Sequence, residues 1–201
     1  MDYKKAIIHL KKSDPILGEL FGKYKPTIIR PHKNYFESLA DAIISQQLSG
    51  KAADTIIKRF KALFPKVKFP SPKQVLAKTD TELRLVGVSG AKASYLKNLA
   101  AAFEDKSLNF RSIDKKTDEE IITMLVAVKG IGRWTAEMFL IFSLGRPDVF
   151  SFGDLGLRSA VKKVYGLRQD PSPKKLTQLS SRWQPHRSTA SLYLWASLNN
   201  R

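Results

Sequence analysis

Apolar residues recur three and four positions apart along almost the whole chain, the signature of amphipathic helices. Leu39, Ala40, Ile43 and Ile44 form one such stripe after Phe36. Ile56, Ile57, Phe60 and Leu63 form another over 51–64, with Lys58, Arg59 and Lys61 on the other side. Ala6, Ile7 and Leu10 mark a shorter segment. Ile16, Leu17, Leu20 and Phe21 follow it after Ser13-Asp14-Pro15, where proline suits a first helical turn. Further helices are predicted over 91–103, from Thr117, from about Trp134 to Leu144, and beyond Gln184-Pro185, the last holding Tyr193 and Trp195. Thr79-x-x-Glu82 and Thr117-x-x-Glu120 read as capping boxes, the first opening a short helix that ends at Gly87. Only Val67-Lys68-Phe69, enclosed by Pro65, Pro70 and Pro72, has the character of a short extended piece. The spacing predicts an all-α protein.

Charge narrows the choice of partner. The 201 residues carry 35 Lys+Arg against 18 Asp+Glu, a formal net charge of +17. Such an excess favours a polyanion, because each phosphate neutralised releases counterions. The chain has no cysteine, which excludes disulfides, thiolate zinc sites and cysteine-held iron–sulfur clusters. MDYKKAIIHLKKSDP offers no continuous apolar core for a signal peptide, and no stretch approaches a membrane span. An intracellular protein without a membrane partner is therefore expected, in a bacterial cytoplasm and nucleoid or in a nucleus.

Two neighbouring features carry chemistry. In Leu125-Val-Ala-Val-Lys-Gly-Ile-Gly-Arg-Trp-Thr-Ala136, two helices meet through a turn whose glycines allow positive φ and close approach of another backbone. The second helix starts there with free N–H groups at its positive dipole end, which suits a DNA phosphate. A short loop later comes Asp148-Val-Phe-Ser-Phe-Gly-Asp154-Leu-Gly-Leu-Arg158. Asp154 precedes a helix and reads as its N-cap. The same dipole would keep its carboxylate ionised, as a charge-stabilising residue requires.

With these motifs the chain resembles the helix-hairpin-helix DNA glycosylase superfamily, specifically its 3-methyladenine DNA glycosylase II, or alkylpurine, branch. Val128–Ala136 is similar to the family hairpin and Asp148–Arg158 to the segment with the catalytic aspartate. Ile44–Ala53, Val86–Lys97 and Arg182–Ala190 with Tyr193-Leu-Trp195 also agree. The likeness covers the chain from about residue 35 to its end, at the length of the compact form.

The resemblance implies two helical subdomains with the active-site cleft between them. One is continuous, over 36–146, with wedge and hairpin. The other joins 1–35 to 147–201 and carries the catalytic Asp and a pocket wall. It implies a monofunctional hydrolase that flips out alkylated purines of the 3-methyladenine and 7-methylguanine type in double-stranded DNA and cleaves their N-glycosidic bond. Asp154 is the implied catalytic residue. Trp134, Trp195 and Met138 are the implied base pocket, and Gln47 the wedge that fills the gap left in the duplex. Gly130, Gly132, Ser89 and Lys92 are the implied contacts to the DNA backbone. Relatives that also cut the strand carry a lysine where Trp134 stands, so AP-lyase chemistry is not expected. No cofactor is required, although the family hairpin often holds Na+ or K+, here on the carbonyls of Val126, Val128 and Ile131. A monomer is expected. Gly153 and Met138 depart from relatives that have an acidic and an aromatic residue there, which puts the substrate range in doubt rather than the reaction. Two other readings stay open. One is a glycosylase for deaminated, etheno or oxidised bases, and the other a non-catalytic binder of distorted DNA.

Overall fold

The computed structural model describes residues 1–26 and 28–199. In chain order the helices are α1 (Tyr3–Ser13), α2 (Pro15–Gly18), α3 (Leu20–Lys23), α4 (Tyr35–Ser45), α5 (Gly50–Ala62), α6 (Pro72–Leu76) and α7 (Asp80–Leu85). They continue with α8 (Gly90–Glu104), α9 (Asp118–Val126), α10 (Arg133–Phe142), α11 (Leu155–Val164), α12 (Pro173–Ser181) and α13 (Arg187–Asn199). Among the described residues there is no strand, and no helix is long and apolar enough to cross a membrane. Val67–Phe69 is a run of bends. It has no neighbouring strand to pair its backbone, and the ring of Phe69 is anchored among Phe36 and Phe60 instead.

The chain divides into two compact units, His32–Phe139 and Met1–Pro31 with Leu140–Arg201. The last turn of α10, from Leu140, clusters with the second unit.

In the continuous unit, α8 packs on α4, α6 and α7, and α4 on α5. Leu39, Ile43, Ile44, Phe60, Leu96 and Leu99 are fully buried there. Both anticipated capping boxes are present, Thr79 with Glu82 and Thr117 with Glu120, and Ser71 with Gln74 supplies a third. One half-buried group works against the fold. Asp41 Oδ1 has no hydrogen-bond partner, and its other oxygen lies 3.9 Å from Lys61 Nζ. Burial raises the Asp41 pKa from 3.8 to about 6; Lys61 lowers it and Glu37 raises it further. Folding therefore takes up a proton between those values, and the cost of the ionised carboxylate is fully present above pH 6. Asp41→Asn is expected to raise stability at pH 7.5 by roughly 1–2 kcal/mol. The gain should shrink as pH falls toward 4.5, which paired thermal melts at the two pH values would check.

In the split unit, α11 packs on α13, and α13 on α1 and α3. Leu10, Leu17, Leu157, Val161, Trp183 and Leu194 form its centre. Asp14 is buried but fully used. Oδ1 accepts from Leu17 N at 3.1 Å and caps α2, while Oδ2 accepts from Tyr165 Oη at 2.6 Å and Trp183 Nε1 at 3.0 Å. Burial, reinforced by Asp14, pushes the Tyr165 pKa far up, so its hydroxyl remains a donor. Ile16, expected on an inward face, is exposed, while Leu17 and Leu20, on either side of the break at Glu19, are buried.

Candidate active site

The hairpin lies between α9 and α10. Val128 N donates to Leu125 O at 3.1 Å and Ile131 N to Val128 O at 3.0 Å, which folds the connection back on itself. Its two glycines do different work. Gly130 has φ +108, and a Cβ there would stand 2.3 Å from Tyr95 Cγ. Gly132 has no positive φ, contrary to expectation, and nothing lies within 4 Å of where its Cβ would be. It leaves the start of α10 open to an approaching group. Arg133 clamps that start, donating to both oxygens of Glu119 and from Nε to Glu137 at 3.0 Å. The adjoining Trp134 is 45% exposed, and Met138, one turn on, is half-buried.

The same unit carries the turn between α4 and α5. Gln47 is exposed at its tip and has φ +56, a left-handed backbone uncommon for a residue other than glycine. Leu48 N closes the turn on Ser45 O at 3.1 Å. Ser89 is exposed and caps α8. Lys92, anticipated on the DNA backbone, turns its ammonium inward and donates to Ile44 O at 2.9 Å and Gln46 O at 2.7 Å. The carbonyls at the end of α4 lack helical partners and draw the cation to them.

In the split unit, Asp154 is the N-cap of α11 and only 7% exposed. Its Oδ1 accepts from Leu157 N at 2.6 Å and Trp195 Nε1 at 3.0 Å. A Cβ on Gly156 would press on both partners, 3.1 Å from Oδ1 and 3.3 Å from the indole nitrogen. Trp195 also stacks on Phe142, with ring centroids 5.8 Å apart. Phe142, Phe152 and Leu155 are exposed, so a nearly buried carboxylate sits on an apolar, aromatic surface. No Cβ contact would meet a side chain at Gly153.

The segment leading to Asp154 is tied to the start of α13. Arg187 donates from Nε to Asp148 Oδ1 at 2.8 Å and from Nη2 to Oδ2 at 3.0 Å. Ser188 Oγ donates to Arg146 O at 2.6 Å and accepts from Val149 N at 3.0 Å. These contacts give the Arg-Ser pair that opens α13 a structural purpose. Phe142, Phe152, Gln46 and Tyr95 drew no role from sequence. An exposed aromatic on a helix looks like any core residue until its burial is known.

Among the described residues, no three His, Cys, Asp or Glu side chains gather as metal ligands. Within the described turn, residues 126–132, no side chain carries an oxygen, so a cation there would rest on main-chain carbonyls. That of Val128 already accepts one hydrogen bond and keeps a second lone pair.

Residues 40–186 match the HhH-GPD superfamily base excision DNA repair protein family. The chain is 36% identical over 195 residues to DNA-3-methyladenine glycosylase 1 of Schizosaccharomyces pombe, covering 95% of this chain and 86% of that protein. It is 35% identical over 199 residues to the alkylbase DNA glycosidase-like protein mag2 of the same organism, covering 96% and 93%. Among solved structures, the S. pombe 3-methyladenine DNA glycosylase in complex with abasic DNA superposes with a TM-score of 0.85 at 35% identity, covering 95% of both chains. A solved 8-oxoguanine glycosylase/lyase of Clostridium acetobutylicum is 22% identical with a TM-score of 0.78 and shares the fold. With helix pair, capped aspartate and relatives of this identity in agreement, the chain belongs to the HhH-GPD superfamily of base excision DNA repair proteins, in its 3-methyladenine DNA glycosylase family.

Proposed function

We propose that the protein is a monofunctional DNA glycosylase that removes alkylated purines of the 3-methyladenine and 7-methylguanine type from double-stranded DNA. The observation that carries the reading is Asp154, a carboxylate held by a helix N-terminus and the Trp195 indole on an aromatic surface. As the bond from the base to C1′ lengthens, positive charge builds on the sugar, and a fixed carboxylate stabilises it. Water then adds at C1′. The alkylated base already carries positive charge, so it leaves neutral without a proton from the enzyme. Trp134, 45% exposed, is the aromatic residue on which such a cationic base stacks in this reading.

The remaining roles follow the same reading. Gln47 enters the duplex in place of the extruded nucleotide, for which its exposed left-handed turn is suited. Gly130, Gly132 and the Ser89 end of α8 meet phosphates through backbone N–H groups. Without an amine at Trp134 there is no Schiff base and no strand cleavage. A sodium or potassium ion on the carbonyls of Val126, Val128 and Ile131 would stiffen the hairpin. The protein acts as a monomer.

The test is release of bases from methylated duplex DNA, followed by gel analysis with and without hot alkali. We expect free 3-methyladenine and 7-methylguanine, and strand breaks only after alkali. Breaks without alkali would overturn the monofunctional assignment. Turnover confined to etheno, deaminated or oxidised lesions would move the substrate class, and binding without turnover on every lesion would leave a non-catalytic recogniser of distorted DNA.

A further inference from the structure

We propose that one face of α8 is a bracket that holds the wedge turn and the hairpin together, with Lys92 as a positioning residue for Gln47 rather than a ligand for phosphate. Lys92, Tyr95 and Asn98 are three residues apart and so share a face of the helix. Each reaches a different part of the two turns. Lys92 Nζ ties down Ile44 O and Gln46 O, the carbonyls on either side of the end of α4. The Tyr95 ring occupies the space that only a glycine at 130 leaves free. Asn98 Nδ2 donates to Lys129 O at 3.3 Å. Gln46 closes the circuit, since its Nε2 donates to Gly130 O at 3.0 Å.

The residue after this braced Gln46 is Gln47, in a conformation that a non-glycine residue holds only when its surroundings impose it. A lysine serving phosphate keeps its ammonium in water. Lys92 is half-buried with its ammonium on two carbonyls, and burial lowers its pKa. Exposed Lys51 and Lys129 remain available for the duplex. The wedge is thereby preorganised before DNA arrives, and its alignment with the hairpin is set by one helix.

The inference rests on Gln47 acting as wedge, so its test has one readout with DNA and one without. In the free protein, Lys92→Met should speed amide exchange of Leu48, whose N–H closes the wedge turn, with the overall melting temperature retained. On DNA, the preference for a duplex with a tetrahydrofuran abasic analogue over intact duplex should fall at least about tenfold. The salt slope for intact duplex should not change, and Gln47→Ala should add little in the Lys92→Met background. Gln46→Met, which severs the link to Gly130, should give the same pattern and serves if the lysine variant does not fold. Unchanged exchange at Leu48 would overturn the bracket whatever happens on DNA. A salt slope smaller by about one unit with preference retained would make Lys92 a phosphate ligand. A loosened turn with undiminished preference would remove Gln47 from the wedge and leave base excision itself untouched.

Discussion

Asp154→Asn is expected to lower the single-turnover rate of base release by about 10²–10³-fold while the protein still folds and still binds an abasic-site duplex. The two effects separate because Asp154 has two jobs. As N-cap it needs only an oxygen facing Leu157 N, and as partner of Trp195 only an acceptor for the indole N–H. The amide oxygen of asparagine supplies both, and asparagine is among the best N-caps. What it cannot supply is negative charge beside the sugar as the glycosidic bond breaks. Asp154→Ala removes charge and cap together, and should cost about 1 kcal/mol of stability besides the activity. Equal melting temperatures for wild type and Asp154→Asn, with activity lost only in the variant, would establish electrostatic catalysis. Retained turnover in Asp154→Asn would remove Asp154 from the chemistry and leave it a helix cap.

The helices were largely readable because local rules agreed with one another. Thr79 with Glu82 and Thr117 with Glu120 opened helices as their spacing required. Two helices escape the apolar spacing although a start signal is present. Ser71-Pro72 and Ser172-Pro173 each place a capping serine before a proline at the first helical position, but α6 has only five residues, too few for periodicity to show. The candidate site was legible where backbone geometry specified it, at Gly130 and at Asp154. It was illegible where a long side chain chooses between water and the protein. Lys92 in a Ser-x-x-Lys stretch is implied as a contact to the DNA backbone, and nothing in the sequence places the end of α4 beside it. Only the positions of Ile44 O and Gln46 O decide where its ammonium points. Phe142 was missed for a related reason, since its stacking on Trp195 joins residues more than fifty positions apart.

The hairpin glycines give the other large effect, and they should behave oppositely. Gly130→Ala would drive a Cβ to 2.3 Å from Tyr95 Cγ and 2.4 Å from its Cβ. The obstruction is the root of the tyrosine side chain, not its mobile end, so backbone must move. A φ of +108 also lies outside the small left-handed well open to alanine. Overpacking and backbone strain together should cost about 2–6 kcal/mol, or roughly 5–20 °C in Tm. At Gly132 the added methyl meets nothing in the protein, so the Gly132→Ala variant should melt within about 1 kcal/mol of wild type. Its defect should appear only on DNA. A phosphate seated against the start of α10 would be pushed off its N–H groups, at a cost of roughly 1.5–3 kcal/mol, or about 10–100-fold in Kd. Melting curves and duplex titrations of the two variants separate the roles. Normal DNA affinity in Gly132→Ala would mean that the open face of the hairpin is not where the phosphate sits, and normal stability in Gly130→Ala would mean that Tyr95 does not brace the turn.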